Sequence, residues 1–167
     1  MLRAVPVRQQ SFLGAYAKRG AFTDCYAVEV PEAIILQDFI EAFYTTPLFK
    51  IERWLLARFL KIESTDSEAV ELAHGRRSVF SAWKVEQRSG TEILLSAGQT
   101  RSWLSIAPGG AGKPATSLLF GSAVVPMRPG GKFGLAFHAL LGLHRVYSKL
   151  LLGAAAKRVK ASQSPTT

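Results

Sequence analysis

The three histidines are the first residues that could bind a metal or move a proton. They are His74, His138 and His144. The last two are six residues apart, which is about 240° around a helix, so the two rings cannot converge on one ion. Neither has a carboxylate three or four residues away. The spacing therefore predicts packing or surface histidines and no metal, although His144 falls on an apolar helix face that could border a cavity.

The cysteine and the acidic residues give no local template for catalysis. Cys25 is the single cysteine, so it forms no internal disulfide, and no activating partner lies beside it. Asp24 and Glu29 fall on opposite faces of a regular strand. Glu52 stands beside Arg53, which predicts an ion pair and leaves acid/base work by Glu52 open. The sequence predicts a buried, inert thiol and no catalytic residue.

A glycine-rich segment, PGGAGKP at residues 108–114, has the composition of a phosphate-binding loop but not its pattern. A Walker loop needs glycine five residues before Gly112, where Ala107 stands, and Ser or Thr after Lys113, where Pro114 stands. Strands are predicted on both sides, whereas a phosphate loop opens a helix. The segment is predicted to be a hairpin connection, with no nucleotide or other cofactor.

Aromatic residues in the predicted strands indicate a binding site more strongly. Trp83, Trp103 and Phe120 lie mid-strand, and strict alternation gives each of them serine, threonine or arginine neighbours on its own face. That mixture is typical of a cavity with a few polar groups, and also of packed core. Arg101 is the best polar candidate, because a guanidinium can hold a carboxylate or phosphate through two parallel hydrogen bonds. The alternatives are an internal ion pair of Arg101 with Asp24 or Glu29, or simple exposure to solvent.

Apolar periodicity sets the elements that must position these residues. Predicted strands fall at residues 22–30, 78–88, 91–97, 99–107 and 116–125, and predicted helices at 31–46, 47–62, 65–74 and 132–160. The helix at 65–74 has capping-box spacing between Thr65 and Glu68. The second and third predicted strands are joined by the turn Ser89-Gly90.

Two predicted helices carry apolar stripes that should face the core. The stripe of the helix at 47–62 consists of Leu48, Ile51, Leu55, Phe59 and Ile62, and that of the last helix includes Phe137, Leu140, Leu141, His144, Tyr147 and Leu151. The mixed aromatic and hydroxyl composition of the strand faces predicts a cavity beneath the last helix. Its expected lining is Trp83, Trp103, Phe120 and Phe137, with Arg101 or His144 as its polar end.

The order is a strand, two or three helices, four antiparallel strands and a long terminal helix. It predicts an α+β fold in which a curved antiparallel sheet wraps the C-terminal helix. This order resembles the helix-grip architecture of the START and Bet v 1-like (SRPBCC) superfamily. The resemblance implies a binding module that holds a small apolar or amphipathic ligand between the sheet and the terminal helix.

Short strings carry a more specific resemblance. They are FSAWKV at residues 80–85 with Arg88, TRSWL at 100–104, FGSAV at 120–124, FKIER at 49–53 and STD at 64–66. Over roughly residues 22–150 the chain resembles the bacterial family named domain of unknown function 2867. That resemblance implies a fold more than an activity.

Length and composition predict one domain. The chain has 167 residues, of which 48% are hydrophobic and 20% charged, a mixture that suits a globular core without disulfides or metals. The core is expected at about residues 22–158, with a basic N-terminal arm at 1–20 and a frayed polar tail at 159–167. Residues 1–20 lack an uninterrupted apolar stretch, so no export signal is predicted and the cytoplasm is the expected location.

The net charge of +9 leaves other partners open. Residues 1–20 and 132–167 carry four and six Lys or Arg and no acid, but no basic run exceeds two residues. Residues 133–156 contain Arg145 and Lys149, which argues against a membrane span. Two alternatives to the binding module follow. One is a cofactor-independent cyclase, dehydratase or isomerase in which Arg101 or His144 polarises a carbonyl, and the other is a basic protein that associates with nucleic acid. The sequence leaves the oligomeric state open.

Overall fold

The computed structural model describes residues 1–110, 114–126 and 135–163, with side chains for all of these except 135–143 and 163. Within these ranges the fold is α+β, with a seven-stranded antiparallel sheet and five helices. The strands are β1 Arg3–Ala4, β2 Phe22–Val30, β3 Val79–Phe80, β4 Trp83–Arg88, β5 Glu92–Ala97, β6 Thr100–Pro108 and β7 Thr116–Val124. The helices are α1 Phe12–Lys18, α2 Leu36–Tyr44, α3 Pro47–Leu60, α4 Asp66–Ala73 and α5 Leu135–Gln163. The predicted α+β class, with an antiparallel sheet and a C-terminal helix, is confirmed.

The sheet is open and has the strand order β1-β2-β7-β6-β5-β4-β3. One face packs against α2 and α5 and contributes Tyr26 and Phe120 to the larger core. The other face is partly covered by α1 and holds a smaller core around Leu13 and Trp103. The alternation predicted for β2 is confirmed, because Tyr26 and Val30 face the larger core while Cys25 faces the smaller one.

The helix predicted from residue 31 begins later, at Leu36. The reason is a pair of hydrogen bonds made by Thr116, the first residue of β7. Thr116 Oγ1 accepts from the Ile34 amide at 2.9 Å and donates to the Glu32 carbonyl at 2.7 Å. These bonds tie the residues after Pro31 to β7, and the helix begins only afterwards.

The apolar stripe predicted for α3 is turned the wrong way. Ile51 and Phe59 are 57% and 72% exposed, whereas Phe49 and Arg53 are buried. Arg53 is held by Asp66 at 2.6 Å and by two hydrogen bonds to Ser64. Because Phe49 also packs into an aromatic cluster, these contacts fix the rotation of the helix and leave the stripe outside.

The local signals between residues 65 and 97 behave largely as predicted. Thr65 and Glu68 form a complete capping box at the start of α4, and Gly75 follows its end with a φ of 73°. The strand predicted at 78–88 is instead a tight hairpin of β3 and β4, because Ser81 adopts a left-handed φ of 51°. The loop at 108–114 joins two paired strands as predicted, with residues 111–113 outside the described part.

Regular secondary structure extends on both sides of residues 22–158, where the core is expected. The expected basic arm forms β1, which pairs with β2, and α1, whose Leu13 is fully buried. The expected frayed tail begins inside α5, because that helix runs to Gln163 and Val159 is fully buried. In the described ranges, none of the helices is both apolar and long enough to cross a membrane.

A candidate ligand cavity beneath the C-terminal helix

A cavity of about 210 Å³ lies between the sheet and helices α3 and α5. Its apolar walls are Phe43, Phe49, Trp83, Phe120 and Leu151. Its polar side chains are Glu52, Ser102, Ser122, His144, Tyr147 and Ser148. The surface of the lining is therefore mainly apolar, with several convergent polar groups, which is the usual composition of a small-molecule site.

Helix α5 supplies one side of the cavity through its spacing. His144, Tyr147, Ser148 and Leu151 all line it, and positions three, four and seven residues apart share one face of a helix. Arg145 and Lys149 are exposed on the remaining faces. The predicted orientation of this helix is confirmed for its described side chains.

A hydrogen-bonded cluster joins α5 to the sheet at one end of the cavity. Ser122 Oγ donates to Asp24 Oδ1 at 2.6 Å and lies 2.8 Å from His144 Nε2. Tyr26 donates to the other oxygen of Asp24 at 3.4 Å. Burial raises the pKa of the Asp24 carboxyl, but hydrogen bonds from His144, Ser122 and Tyr26 outweigh it and lower that pKa. Asp24 is therefore ionised at neutral pH.

This cluster contains Ser, His and Asp but is not arranged as a nucleophilic triad. In a triad the carboxylate holds one ring nitrogen of histidine and the serine uses the other. Here Asp24 Oδ2 and Ser122 Oγ both lie near His144 Nε2, at 3.6 Å and 2.8 Å. Since the Ser122 hydroxyl donates to Asp24, it accepts from His144 and is not activated by it. The geometry favours positioning of polar groups over covalent catalysis.

A second carboxylate, Glu52, lines the cavity itself. Its Oε2 accepts a short hydrogen bond from the Tyr147 hydroxyl. Burial raises the pKa of the Glu52 carboxyl, and the Tyr147 hydrogen bond and the charge of His144 oppose this rise without cancelling it. The pKa of Tyr147 is raised by burial and by the negative charge of Glu52. Glu52 is thus a partly buried acid that favours its neutral form more than an exposed glutamate does.

We expect Glu52→Gln to stabilise the protein at neutral pH. A carboxyl whose pKa is raised on folding loses folding stability as the pH rises from its unfolded pKa through its folded pKa. Glutamine has no such loss and can still accept from Tyr147. The measurement is the free energy of unfolding in urea. The variant should exceed wild type in this free energy by almost nothing at pH 4 and by the most at pH 8. Glu63→Gln, at an exposed position, is the control, and a Glu52→Gln variant less stable than wild type at pH 8 would contradict the assignment.

The structure brings some of the predicted site residues together and separates others. Trp83, Phe120 and His144 line the cavity. Phe137 lies in α5 but outside the residues whose side chains are described. Trp103 lies on the opposite face of the sheet, where it is 1% exposed. A cavity therefore lies beneath α5, where the sequence predicts the ligand site, and Trp103 does not line it.

The register of β6 and β7 explains the error at Trp103. Residues paired across antiparallel strands share a face, and Trp103 pairs with Gly121 while Leu104 pairs with Phe120. Trp103 and Phe120 must therefore face opposite sides. Gly121 makes room for the indole, since a Cβ there would lie 3.2 Å from Trp103 Cε3 and 2.5 Å from Leu13 Cδ2.

Arg101 borders the cavity, but its guanidinium is used elsewhere. Its Nε lies 2.9 Å from Glu86 Oε1 and 2.9 Å from the Tyr16 hydroxyl, and its Nη1 donates to the Gly98 carbonyl. Tyr16 belongs to α1, on the far face of the sheet. The alternative of an internal ion pair is the correct one for Arg101, with Glu86 as the partner rather than Asp24 or Glu29.

Sequence reasoning missed the polar residues that matter most here. Glu52 was expected to pair with Arg53, but Arg53 pairs with Asp66 and Glu52 contacts Tyr147. The available signal was that Glu52 lies three residues from Phe49 on α3 and so shares its inward side. Asp24 could have been found from the alternation of β2, which places it on the face of Tyr26.

Metal binding has no support in the described part of the chain. No group of three His, Cys, Asp or Glu side chains there could hold a metal ion. His74 is exposed, its Nδ1 lying 2.9 Å from the Val70 carbonyl, and the side chain of His138 lies outside the description. Cys25 is buried. Burial, and to a smaller extent the negative charge of Asp24, raises the pKa of its thiol to about 12. This cysteine is therefore a poor metal ligand and a poor nucleophile.

Comparison with known proteins adds little to this geometry. No protein-family model matches the chain, and no curated protein matches it. Among solved structures, the crystal structure of CalU16 from Micromonospora echinospora aligns over 96% of this chain and 92% of its own, with 13% sequence identity and a TM-score of 0.33. A likeness of that degree carries no functional conclusion, so function is inferred from the cavity alone.

Proposed function

We propose that this protein is a helix-grip-like binding module that holds one small amphipathic molecule between its sheet and α5. The observation that carries the proposal is the cavity beneath α5, in which aromatic walls meet a few polar side chains. A ligand there would lay its apolar part against Trp83 and Phe120 and its polar end near Glu52 and His144. The family resemblance of residues 80–85 and 100–104 to domain of unknown function 2867 belongs to the same proposal.

The volume of the cavity limits the size of its ligand. An apolar cavity of about 150 Å³ binds benzene, and this one measures about 210 Å³. A single ring with a short polar arm fits that space, whereas the long acyl chains that a larger cavity would take do not. We therefore favour ligands of the size of 2-phenylethanol.

The fate of the basic residues supports ligand binding over nucleic-acid association. Arg53 pairs with Asp66, Arg77 with Glu68 and Glu71, and Arg101 with Glu86. Arg88 donates to the carbonyl oxygens at the end of α4. A cation paired within the protein is less available to neutralise phosphates, which is the main source of affinity for nucleic acid.

Filling the cavity tests the proposal. Ser148 is fully buried and lines the cavity, so Ser148→Leu should occupy the space a ligand needs. We expect wild type to bind 2-phenylethanol and to melt at a higher temperature in its presence. The variant should bind at least about tenfold more weakly, a loss of about 1.4 kcal/mol.

Ser67→Leu, at an exposed position of α4, is the matched control and should bind like wild type. Urea unfolding of each variant separates lost binding from lost folding. Equal binding by wild type and a folded Ser148→Leu variant would place the ligand elsewhere and contradict the proposal.

Proton transfer is a second candidate function, favoured by one observation. The two carboxyls of this region have pKa values displaced in opposite directions, Asp24 downward and Glu52 upward, a pattern found where an acid and a base divide the work. Uptake of solvent deuterium into the methyl group of acetophenone would detect such chemistry. Exchange that is no faster with the protein than in buffer would argue against it.

A further inference from the structure

We propose that the ligand of this cavity is a small organic cation, an amine whose ammonium group lies at Glu52 and whose apolar body lies against Trp83 and Phe120. The inference rests on the proposed function and narrows it to one chemical class. It follows from a partly buried carboxylate that faces an aromatic cavity and has no lysine or arginine paired with it in the described part of the chain.

Glu52 differs in its partners from two other carboxylates of the fold, Asp66 and Glu86. Asp66 is paired with Lys50 at 2.5 Å and Arg53 at 2.6 Å, and Glu86 is paired with Arg101 at 2.9 Å. Within the described residues, Glu52 forms no ion pair with Lys or Arg, and its hydrogen-bond partner is the Tyr147 hydroxyl. A buried carboxylate is stabilised when a cation pairs with it and is costly otherwise. A bound ammonium group would supply the missing charge.

Two arginines of the protein, Arg53 and Arg101, cannot supply this positive charge themselves. Arg53 follows Glu52 in α3 but its guanidinium is turned away, to Asp66 and Ser64. Arg101 borders the cavity, yet its guanidinium lies with Tyr16 and Glu86 on the far face of the sheet. Both cations are fixed by several hydrogen bonds, so the fold keeps them away from Glu52.

The walls of the cavity suit the same ligand. A cation within about 6 Å of an aromatic face is attracted by the ring, most strongly by tryptophan. Trp83 and Phe49 line the cavity together, with ring centroids 5.4 Å apart. Phe120 lines the sheet side. These rings can contact both the apolar body and the charged end of an amine.

An anionic ligand is disfavoured by the same groups. It would meet Glu52 in the lining and the ionised Asp24 behind Ser122. The long-range field of a chain with net charge +9 acts the other way, attracting anions and repelling cations. A preference for an amine must therefore originate in the cavity and cannot result from overall charge.

Three probes of one shape test the inference: 2-phenylethylamine, 2-phenylethanol and phenylacetate. Their dissociation constants are measured by calorimetry at pH 8 and constant salt. We expect the amine to bind at least about tenfold more tightly than the alcohol, equivalent to about 1.4 kcal/mol, and phenylacetate to bind most weakly. Glu52→Gln should reduce the amine to the affinity of the alcohol, while Glu63→Gln should keep the preference.

Lowering the pH supplies a second readout. The preference for the amine should fall with pH, because protonation of Glu52 removes its negative charge. His144, Tyr147 and Tyr44 face Glu52 from α5 and α2, and the two tyrosines stay neutral over this range. A protonated His144 would also repel an amine, and the pH dependence left in Glu52→Gln measures that contribution separately.

The outcomes separate this inference from the proposed function. Binding of the alcohol as tight as that of the amine overturns the inference and leaves the binding module standing. An amine preference that survives in a folded Glu52→Gln variant overturns the role of Glu52. Absence of binding by all three probes contradicts both proposals.

Discussion

Trp103→Ala should cost about 3–5 kcal/mol of folding stability, the usual loss when a buried tryptophan is truncated. Trp103 is 1% exposed and packs in the smaller core with Leu13. Its indole nitrogen donates to Glu92 Oε2 at 2.6 Å, and the same oxygen accepts from the Phe12 amide at the start of α1. The substitution therefore leaves a cavity and loosens the attachment of α1.

Urea unfolding followed by circular dichroism gives the measurement. Trp54→Ala is the matched control, because Trp54 is 62% exposed on α3, and it should change stability by less than about 0.5 kcal/mol. A Trp103→Ala variant as stable as the Trp54→Ala variant would show that the smaller core contributes little and that α1 is not held as the structure shows.

Phe43→Ala should have an effect of similar size, about 3–5 kcal/mol. Phe43 is 1% exposed, and its ring lies 4.8 Å from that of Phe120 and 5.2 Å from that of Tyr44. It joins α2 to the sheet and also borders the ligand cavity. Losing it removes contacts on both sides and merges the new space with the existing cavity.

Phe59→Ala is the control for this substitution, since Phe59 is 72% exposed near the end of α3. Guanidinium unfolding should give a wild-type midpoint for Phe59→Ala and a much lower one for Phe43→Ala. Equal midpoints for the two variants would mean that the aromatic cluster around Phe43 does not hold α2 against the sheet.

Local signals in the sequence predicted most of the elements because their causes are local. Pro47 after Thr46 opens α3, Thr65 with Glu68 caps α4, and alternation defines β2 and the meander. The start of α2 was wrong because hydrogen bonds with Thr116, more than eighty residues away, tie the preceding segment to β7. No local pattern contains that information.

The difference between local signals and contacts of distant residues also explains which cavity residues the sequence could predict. His144 and Tyr147 follow from helical spacing within α5, and both line the cavity. Trp103 was misplaced because alternation gives the faces within a strand but not the register between strands, which pairs Trp103 with Gly121. Glu52 was paired with the wrong neighbour because the rotation of α3 is set by Arg53 and Asp66.

The position of a bound ligand tests the central claim most directly, because the three tryptophans lie in three different places. Trp83 lines the cavity, Trp103 lies in the smaller core and Trp54 is exposed on α3. Intermolecular nuclear Overhauser contacts from 2-phenylethanol to the indole protons distinguish these positions. We predict contacts to Trp83 and to the ring of Phe120, with none to the other two indoles. Contacts to Trp54 or Trp103 without contacts to Trp83 would contradict a ligand site between the sheet and α5.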